Sequence, residues 1–186
     1  MILAFDTSGP ACLAALRDPD GTTVTRIDEM ARGQAEHLMP MLEGLLSRNS
    51  ATWSDLTRIG VGVGPGNFTG IRIAVSAARG LALGLGVPAI GVSTLDAIHH
   101  LYPTAVAAVP APRDMLYLQP AGEAPRLGRE EDAHSPVFLS DRQKLIAAIA
   151  ECAAIADPKT AGRPKPLYIK PADAAPSRDT GPVMLT

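Results

Sequence analysis

Apolar positions along the chain change period repeatedly, and each change marks an element. Ile2-Leu3-Ala4-Phe5 is a short apolar run ending on Asp6. It predicts a buried strand followed by a turn over Asp6-Thr7-Ser8-Gly9-Pro10. Ala11 to Arg17 predicts a second strand, and Asp18-Pro19-Asp20-Gly21 a turn. Thr22 to Met30 alternates and contains β-branched residues, which predicts a third strand and an antiparallel meander. The period then becomes helical. Leu38, Met41, Leu42, Leu45 and Leu46 fall at i, i+3, i+4, i+7 and i+8, one face of a helix over residues 35–48. Pro40 lies inside this pattern and is tolerated only near the first turns, where few N–H groups need partners. Arg58 to Gly64 predicts a strand, residues 64–70 a Gly/Pro loop, and Ile71 to Leu85 a long helix. Pro88 to Val92 predicts a fifth strand. Ser93, with Asp96 three positions on, caps a short helix through Leu101.

The order β-β-β-α-β-α-β-α predicts an α/β fold. Three strands pair antiparallel, and two more join the same sheet through helical crossovers. This mixed sheet with flanking helices is the layout of a ribonuclease-H-like half, the unit repeated in the actin-like ATPases. Residues 1–103 are expected to form this lobe and residues 104–186 a reduced second lobe with a Pro-rich tail. In that second part, strands are expected at 105–109, 115–119 and 136–139. Ser140 or Asp141 caps a helix to about Ala154, with Leu145, Ile146 and Ile149 as its apolar stripe. Prolines at 158, 164, 166, 171, 176 and 182 break everything after Asp157 except Leu167-Tyr168-Ile169, so the tail lies over a surface.

Composition narrows the function classes. The chain has 186 residues, 46% hydrophobic and 19% charged, enough apolar area to drive a packed core. One Trp, three Tyr and three Phe are too few for a platform that stacks single-stranded nucleic acid. Seventeen basic against nineteen acidic residues give a net charge of −2. That balance argues against holding a phosphate backbone alone. Cys12 and Cys152 have no ligand spacing and read as reduced thiols. The N-terminus has an acid at Asp6 and no basic lead, so it does not read as a signal peptide. The longest apolar stretch, Ile71 to Val92, contains Arg72, Arg79 and Pro88 and is not expected to span a membrane. A cytoplasmic protein is expected.

Three features carry candidate chemistry. An acid at the end of a first strand, followed by hydroxyls in a tight turn, is where actin-like proteins hold Mg²⁺ and phosphate. Asp6 and Thr7 have that placement, but the same residues also make a turn that satisfies strand-end amides. The loop 60–72 has the strand, glycine turn and helix of a phosphate cradle. It matches neither GxxxxGK[ST] nor GxGxxG. Its glycines read equally as a turn that lets strand and helix approach, or as a knuckle that positions the next helix. In that helix Ser76, Gly80 and Gly84 recur every four residues, although interior glycine costs about 1 kcal/mol relative to alanine. Close approach of another element is the compensating reason: the protein's own sheet, or another subunit. His37, His99, His100 and His134 form no metal pair, and no nucleophile–base arrangement is legible. Lys159, Arg163, Lys165, Lys170 and Arg178 give the tail a positive bias, read as a solvated surface or a minor phosphate-contacting strip.

Several strings together resemble the TsaB family, also called YeaZ. They are residues 2–8, Glu36-His37-Leu38-Met39-Pro40, the block Gly64-Pro65-Gly66-Asn67-Phe68-Thr69-Gly70-Ile71-Arg72-Ile73, Gly80-Leu81-Ala82, residues 88–95 and residues 166–173. The glycine block is the most specific, and Asn67 departs from the Ser common there. The resemblance implies an actin-like fold and an inactive paralogue of TsaD, which transfers threonylcarbamoyl to the adenosine next to the anticodon of tRNA. It implies TsaD and TsaE as partners, tRNA reached indirectly through the complex, and a homodimer when alone. Where TsaD carries two metal-binding histidines, this sequence has Thr94 and Ile98. No catalytic residue, metal or cofactor is therefore expected, with ATP or ADP only at a site shared with a partner. Asp6 and Thr7 would be a vestigial phosphate loop. The two helices would form half of a four-helix seam through Met39, Met41, Leu42, Leu45, Arg72, Ser76, Arg79 and Gly80. The rival enzymatic reading is a small actin-like ATPase using Asp6 and Thr7 with Mg²⁺. An older glycoprotease label suggests a protease, which no motif supports.

Overall fold

The computed structural model describes residues 1–169. Lys170 and Arg178, with the last residues of the family-like tail, lie outside them.

A five-stranded mixed sheet is built around β1 (Ile2–Asp6). β2 (Ala11–Arg17) pairs with it antiparallel, from Ile2 against Arg17 to Asp6 against Leu13. β3 (Thr23–Glu29) continues the meander on the outer side of β2. On the other side of β1, β4 (Arg58–Gly62) and β5 (Ala89–Val92) are parallel, giving the order β3-β2-β1-β4-β5. This is the sheet expected from the pattern of strands and crossovers.

The two-residue period of the strands sorts side chains onto two faces. Leu3, Phe5, Cys12, Leu16, Ile59 and Val61 face α1 (Gln34–Arg48) and α2 (Phe68–Leu85). Ala4, Leu13, Ala15, Ile90 and Val92 face α4 (Arg142–Ile155), which contributes Ile146, Ile149 and Ala153. A helix from the C-terminal half thus closes the sheet of the N-terminal half. Arg58 at the start of β4 anchors it, its Nη1 donating to the carbonyls of Ala153, Ala154 and Ala156 (2.8 Å for the last). A guanidinium there satisfies orphan carbonyls at the negative end of the helix.

α3 (Thr94–Leu101) starts with the expected capping box: Asp96 N–H donates to Ser93 Oγ at 2.9 Å, and Ser93 N–H to Asp96 Oδ2 at 3.1 Å. It leads to a three-stranded antiparallel sheet of β6 (Ala107–Ala111), β7 (Met115–Gln119) and β8 (Arg126–Gly128). The short α5 (Pro158–Ala161) follows α4.

Several expected boundaries are corrected. α2 begins at Phe68, not Ile71, because the Asn67 side chain accepts from Gly70 N–H at 2.9 Å and caps it. The strand expected at 105–109 runs two residues later, over Ala107–Ala111. Residues 136–139 make only a single bridge, Ala107 to Val137. Leu167-Tyr168-Ile169 is a strap rather than a strand, tied by Leu167 N–H to the carbonyl of Val63 at 2.9 Å.

Both cysteines are free, Cys12 buried and Cys152 half-buried. Burial pushes their thiols up to about 11 and about 12, so both stay protonated at neutral pH and neither is a ready nucleophile.

Candidate functional site

The turn after β1 and the glycine loop before α2 interlock. Thr7 Oγ1 is fully buried and donates to the carbonyl oxygen of Gly70 at 2.6 Å. Asn67 N–H donates to the carbonyl of Ser8 at 2.8 Å. A Cβ on Gly70 would lie 1.9 Å from the carbonyl oxygen of Thr7, and one on Gly66 2.6 Å from that of Ser8. Of the readings of this loop, close backbone approach is the one its geometry explains: only glycine lets the loop reach the turn. The loop also sets where α2 starts and the direction in which it leaves the sheet.

Asp6 is 1% exposed. Its Oδ1 accepts from Ser8 N–H, while Oδ2 has no hydrogen-bond partner and sits against Gly62, where a Cβ would lie 1.8 Å from it. Burial raises the Asp6 pKa and outweighs the hydrogen bonds from Ser8. Asp6 forms part of the wall of a cleft of about 640 Å³ between the two sheets, together with Ser8, Asn67, Tyr117 and Arg142. Arg142 already pairs with Glu29 of β3. The Mg²⁺-nucleotide that an actin-like fold implies calls for an ionised carboxylate, a free hydroxyl and free loop amides. Here burial raises the carboxyl pKa and the Thr7 hydroxyl proton is engaged. Asn67, Gly70 and Ile71 N–H groups are also taken, the last by the carbonyl of Asn67 at 2.9 Å. The first turn leaves that group the unpartnered Oδ2 of Asp6 and no free Thr7 hydroxyl proton.

The second candidate surface is the outer side of α2. Its inner side, Ile71, Ala74, Val75 and Ala78, is built into the core. Its outer side leaves Phe68, Arg72, Ser76, Arg79, Gly80, Leu83 and Gly84 exposed, with Leu83 at 86%. Apart from the adjoining residues and backbone of α2 itself, no atom lies within 4 Å of a Cβ built on Gly80 or Gly84. The two glycines therefore do not serve approach to the protein's own sheet. Among the described residues α2 is the one helix with the length and apolar character of a bilayer span, and its inner side is a core surface.

The expected seam divides accordingly. Arg72, Ser76, Arg79 and Gly80 share the outer side of α2. Met39 is half-buried against the core. Met41, Leu42 and Leu45 are 1%, 0% and 4% exposed, which corrects their expected place on a partner-facing surface. The helical period identified an apolar stripe on α1, and that stripe is the monomer's own core face.

A cluster that sequence reasoning missed sits at the N-terminal end of the α2 face. The Phe68 and Tyr168 rings stack with centroids 5.2 Å apart. The Arg72 guanidinium lies 3.8 Å from the Phe68 ring centroid, and its Nε donates to the Tyr168 hydroxyl at 3.1 Å. Both aromatic residues lie in family-like strings of the sequence, but they are a hundred positions apart and nothing local links them. Among the described residues no three His, Cys, Asp or Glu side chains converge as a metal site.

A five-stranded mixed sheet in this order, with α1 and α2 on one face, α4 on the other and a cleft at the end of β1, is that of an actin-like, ribonuclease-H-like protein. A family model described as "TsaD: tRNA N6-adenosine threonylcarbamoyltransferase" matches residues 28–165, and the chain belongs to this family. Within it, the similarity runs to TsaB/YeaZ proteins. "tRNA threonylcarbamoyladenosine biosynthesis protein TsaB" of Escherichia coli is 42% identical over 94 residues, covering 50% of this chain and 40% of that protein. The Haemophilus influenzae protein of the same name is 33% identical over 123 residues, covering 62% and 51%. The matched part is thus about half the length of these curated relatives. In fold, the chain resembles the solved structure of YeaZ from Pseudomonas aeruginosa, with a TM-score of 0.68 at 24% identity, covering 90% of this chain and 98% of that one.

Proposed function

We propose that this chain is a non-catalytic scaffold and dimerisation subunit of the machinery that makes threonylcarbamoyladenosine in tRNA. It binds and activates TsaD, helps recruit TsaE, and reaches tRNA only through the assembly. Alone it pairs with a second copy through the same surface. Nucleotide is taken only at a site shared with a partner, and β6 to β8 act as a reduced second lobe.

The observation that carries this reading is the outer side of α2. An apolar helix with an 86%-exposed leucine and two glycines open to solvent is a poor monomer surface and a good docking ridge. Small residues at Ser76, Gly80 and Gly84 let a second helix approach closely. A stable seam needs to bury more than about 1,000 Å² in total. The names of the curated relatives place them in threonylcarbamoyladenosine biosynthesis, which supports the pathway. The closed turn at Asp6 and Thr7 supports a supporting role over an ATPase.

The test is reconstitution. Purified TsaD and TsaE from the same organism are assayed for tRNA modification with and without this chain. Modification that depends on the chain is expected, with no modification by the chain alone. Equal modification in its absence contradicts the reading.

A further inference from the structure

Phe68, Arg72, Ser76, Arg79 and Leu83 follow the helical period and form one exposed stripe along α2. Arg72 and Arg79 are the only charged residues of the helix. They are seven residues apart, about 10.5 Å along the axis at 1.5 Å per residue. Neither forms an ion pair among the described residues.

Arg72 is held rather than free. Its guanidinium rests on the Phe68 ring, its Nε is bound to the Tyr168 hydroxyl, and the Tyr168 ring stacks on Phe68. Tyr168 in turn is fixed by the strap, through Leu167 N–H to the Val63 carbonyl. Among the described residues the two terminal nitrogens, Nη1 and Nη2, have no protein acceptor. A guanidinium so oriented presents a planar fork for bidentate pairing, and little rotamer freedom remains to be lost on binding.

We infer that the outer face of α2 docks a partner helix that brings two carboxylates about two turns apart, one to the clasped fork of Arg72 and one to Arg79. The inference rests on the reading of α2 as the partner face and specifies the partner's chemistry. Charge complementarity selects the occupant: the stripe is cationic and carries no acid. A second copy brings the same two cations on its own α2, so a carboxylate-bearing helix displaces it. Ser76 and Gly80 lie between the cations and keep the ridge low enough for helix contact.

The test uses the full chain and TsaD from the same organism, with affinity measured by calorimetry at low and high salt. Wild type, Arg72→Lys, the double variant Arg72→Glu/Arg79→Glu, and Gly80→Trp are compared. Each altered residue is exposed, and thermal unfolding checks that each variant stays folded. We expect wild-type affinity to fall about tenfold or more from low to high salt as the pairs are screened. Charge reversal should cost about a hundredfold or more, and Arg72→Lys about tenfold because the fork is lost while the charge stays. Salt-insensitive binding of the double variant at wild-type affinity, with Gly80→Trp still inactive, overturns the carboxylate inference and leaves the docking face standing. Absence of binding by wild type itself overturns both.

Discussion

Thr7 and Gly70 hold each other: the Thr7 hydroxyl donates to the Gly70 carbonyl at 2.6 Å, while the Gly70 Cα packs against the Thr7 carbonyl so closely that a Cβ would lie 1.9 Å from it. This contact joins the end of β1 to the first turn of α2 and fixes the helix whose outer face is the candidate docking surface. Removing the donor while keeping the shape should cost less than forcing in a methyl. Thr7→Val is expected to destabilise by about 1–2 kcal/mol. Gly70→Ala should cost about 3 kcal/mol, since backbone must move. Urea unfolding midpoints of the two variants check the order.

Asp6 makes stability depend on pH in a direction opposite to an ion-paired carboxylate. Its folded pKa is raised by burial above the ordinary 3.8. The folded state therefore holds the proton more tightly than the unfolded state, and this contribution is fully present below pH 3.8. It is lost as pH rises through the raised folded value. Asp6→Asn keeps an oxygen to accept from Ser8 and removes the ionisation. It is expected to be more stable than wild type at pH 7, with the gain vanishing near pH 4. Unfolding curves of the two proteins across that range check it. A parallel pH dependence would contradict the assignment.

Arg58 ties the last turn of α4 to the sheet through three carbonyls. Arg58→Ala leaves those acceptors without their charged donor, and about 2–3 kcal/mol of stability should be lost. Hydrogen exchange should quicken most in α4, which a probe of amide protection along residues 142–155 resolves.

The glycines of α2 separate stability from binding. Nothing beyond the adjoining residues and backbone of α2 lies within 4 Å of a Cβ at Gly80 or Gly84. Gly80→Ala and Gly84→Ala should each stabilise the isolated chain by about 1 kcal/mol through helix propensity. The same methyl groups raise the ridge and should weaken association. A thermal shift upward with affinity downward is the expected pair of results.

The closed first turn predicts that the isolated chain binds MgATP poorly. Calorimetric titration should give no Mg²⁺-dependent binding. Tight binding abolished by Asp6→Ala would instead favour the ATPase reading.

Much of the first sheet was legible because each signal was local. A short apolar run set β1, the turn at Asp18 to Gly21 separated β2 from β3, alternation set β3, and Ser93 with Asp96 announced α3. Asp141 caps α4 by accepting from Gln143 and Lys144 N–H at 2.9 and 3.1 Å. The start of α2 was misplaced because Gly66 and Gly70 resemble a loop, although Asn67 followed by Gly70 held the capping signal. The face of α1 was misassigned for a deeper reason. Met41, Leu42 and Leu45 form a stripe whose period is the same whether it meets its own sheet or a foreign helix. On α2, exposure rather than periodicity identified the outer side. The Phe68–Arg72–Tyr168 clasp joins positions a hundred residues apart, and only folding brings them together.

The central claim is that α2 clasps another chain. Its most direct test is sedimentation velocity of this chain mixed with TsaD, comparing wild type with Gly80→Trp. A 1:1 or higher complex with wild type, lost in the variant while its unfolding curve stays cooperative, is the predicted result. The same complex formed equally by both would contradict the account.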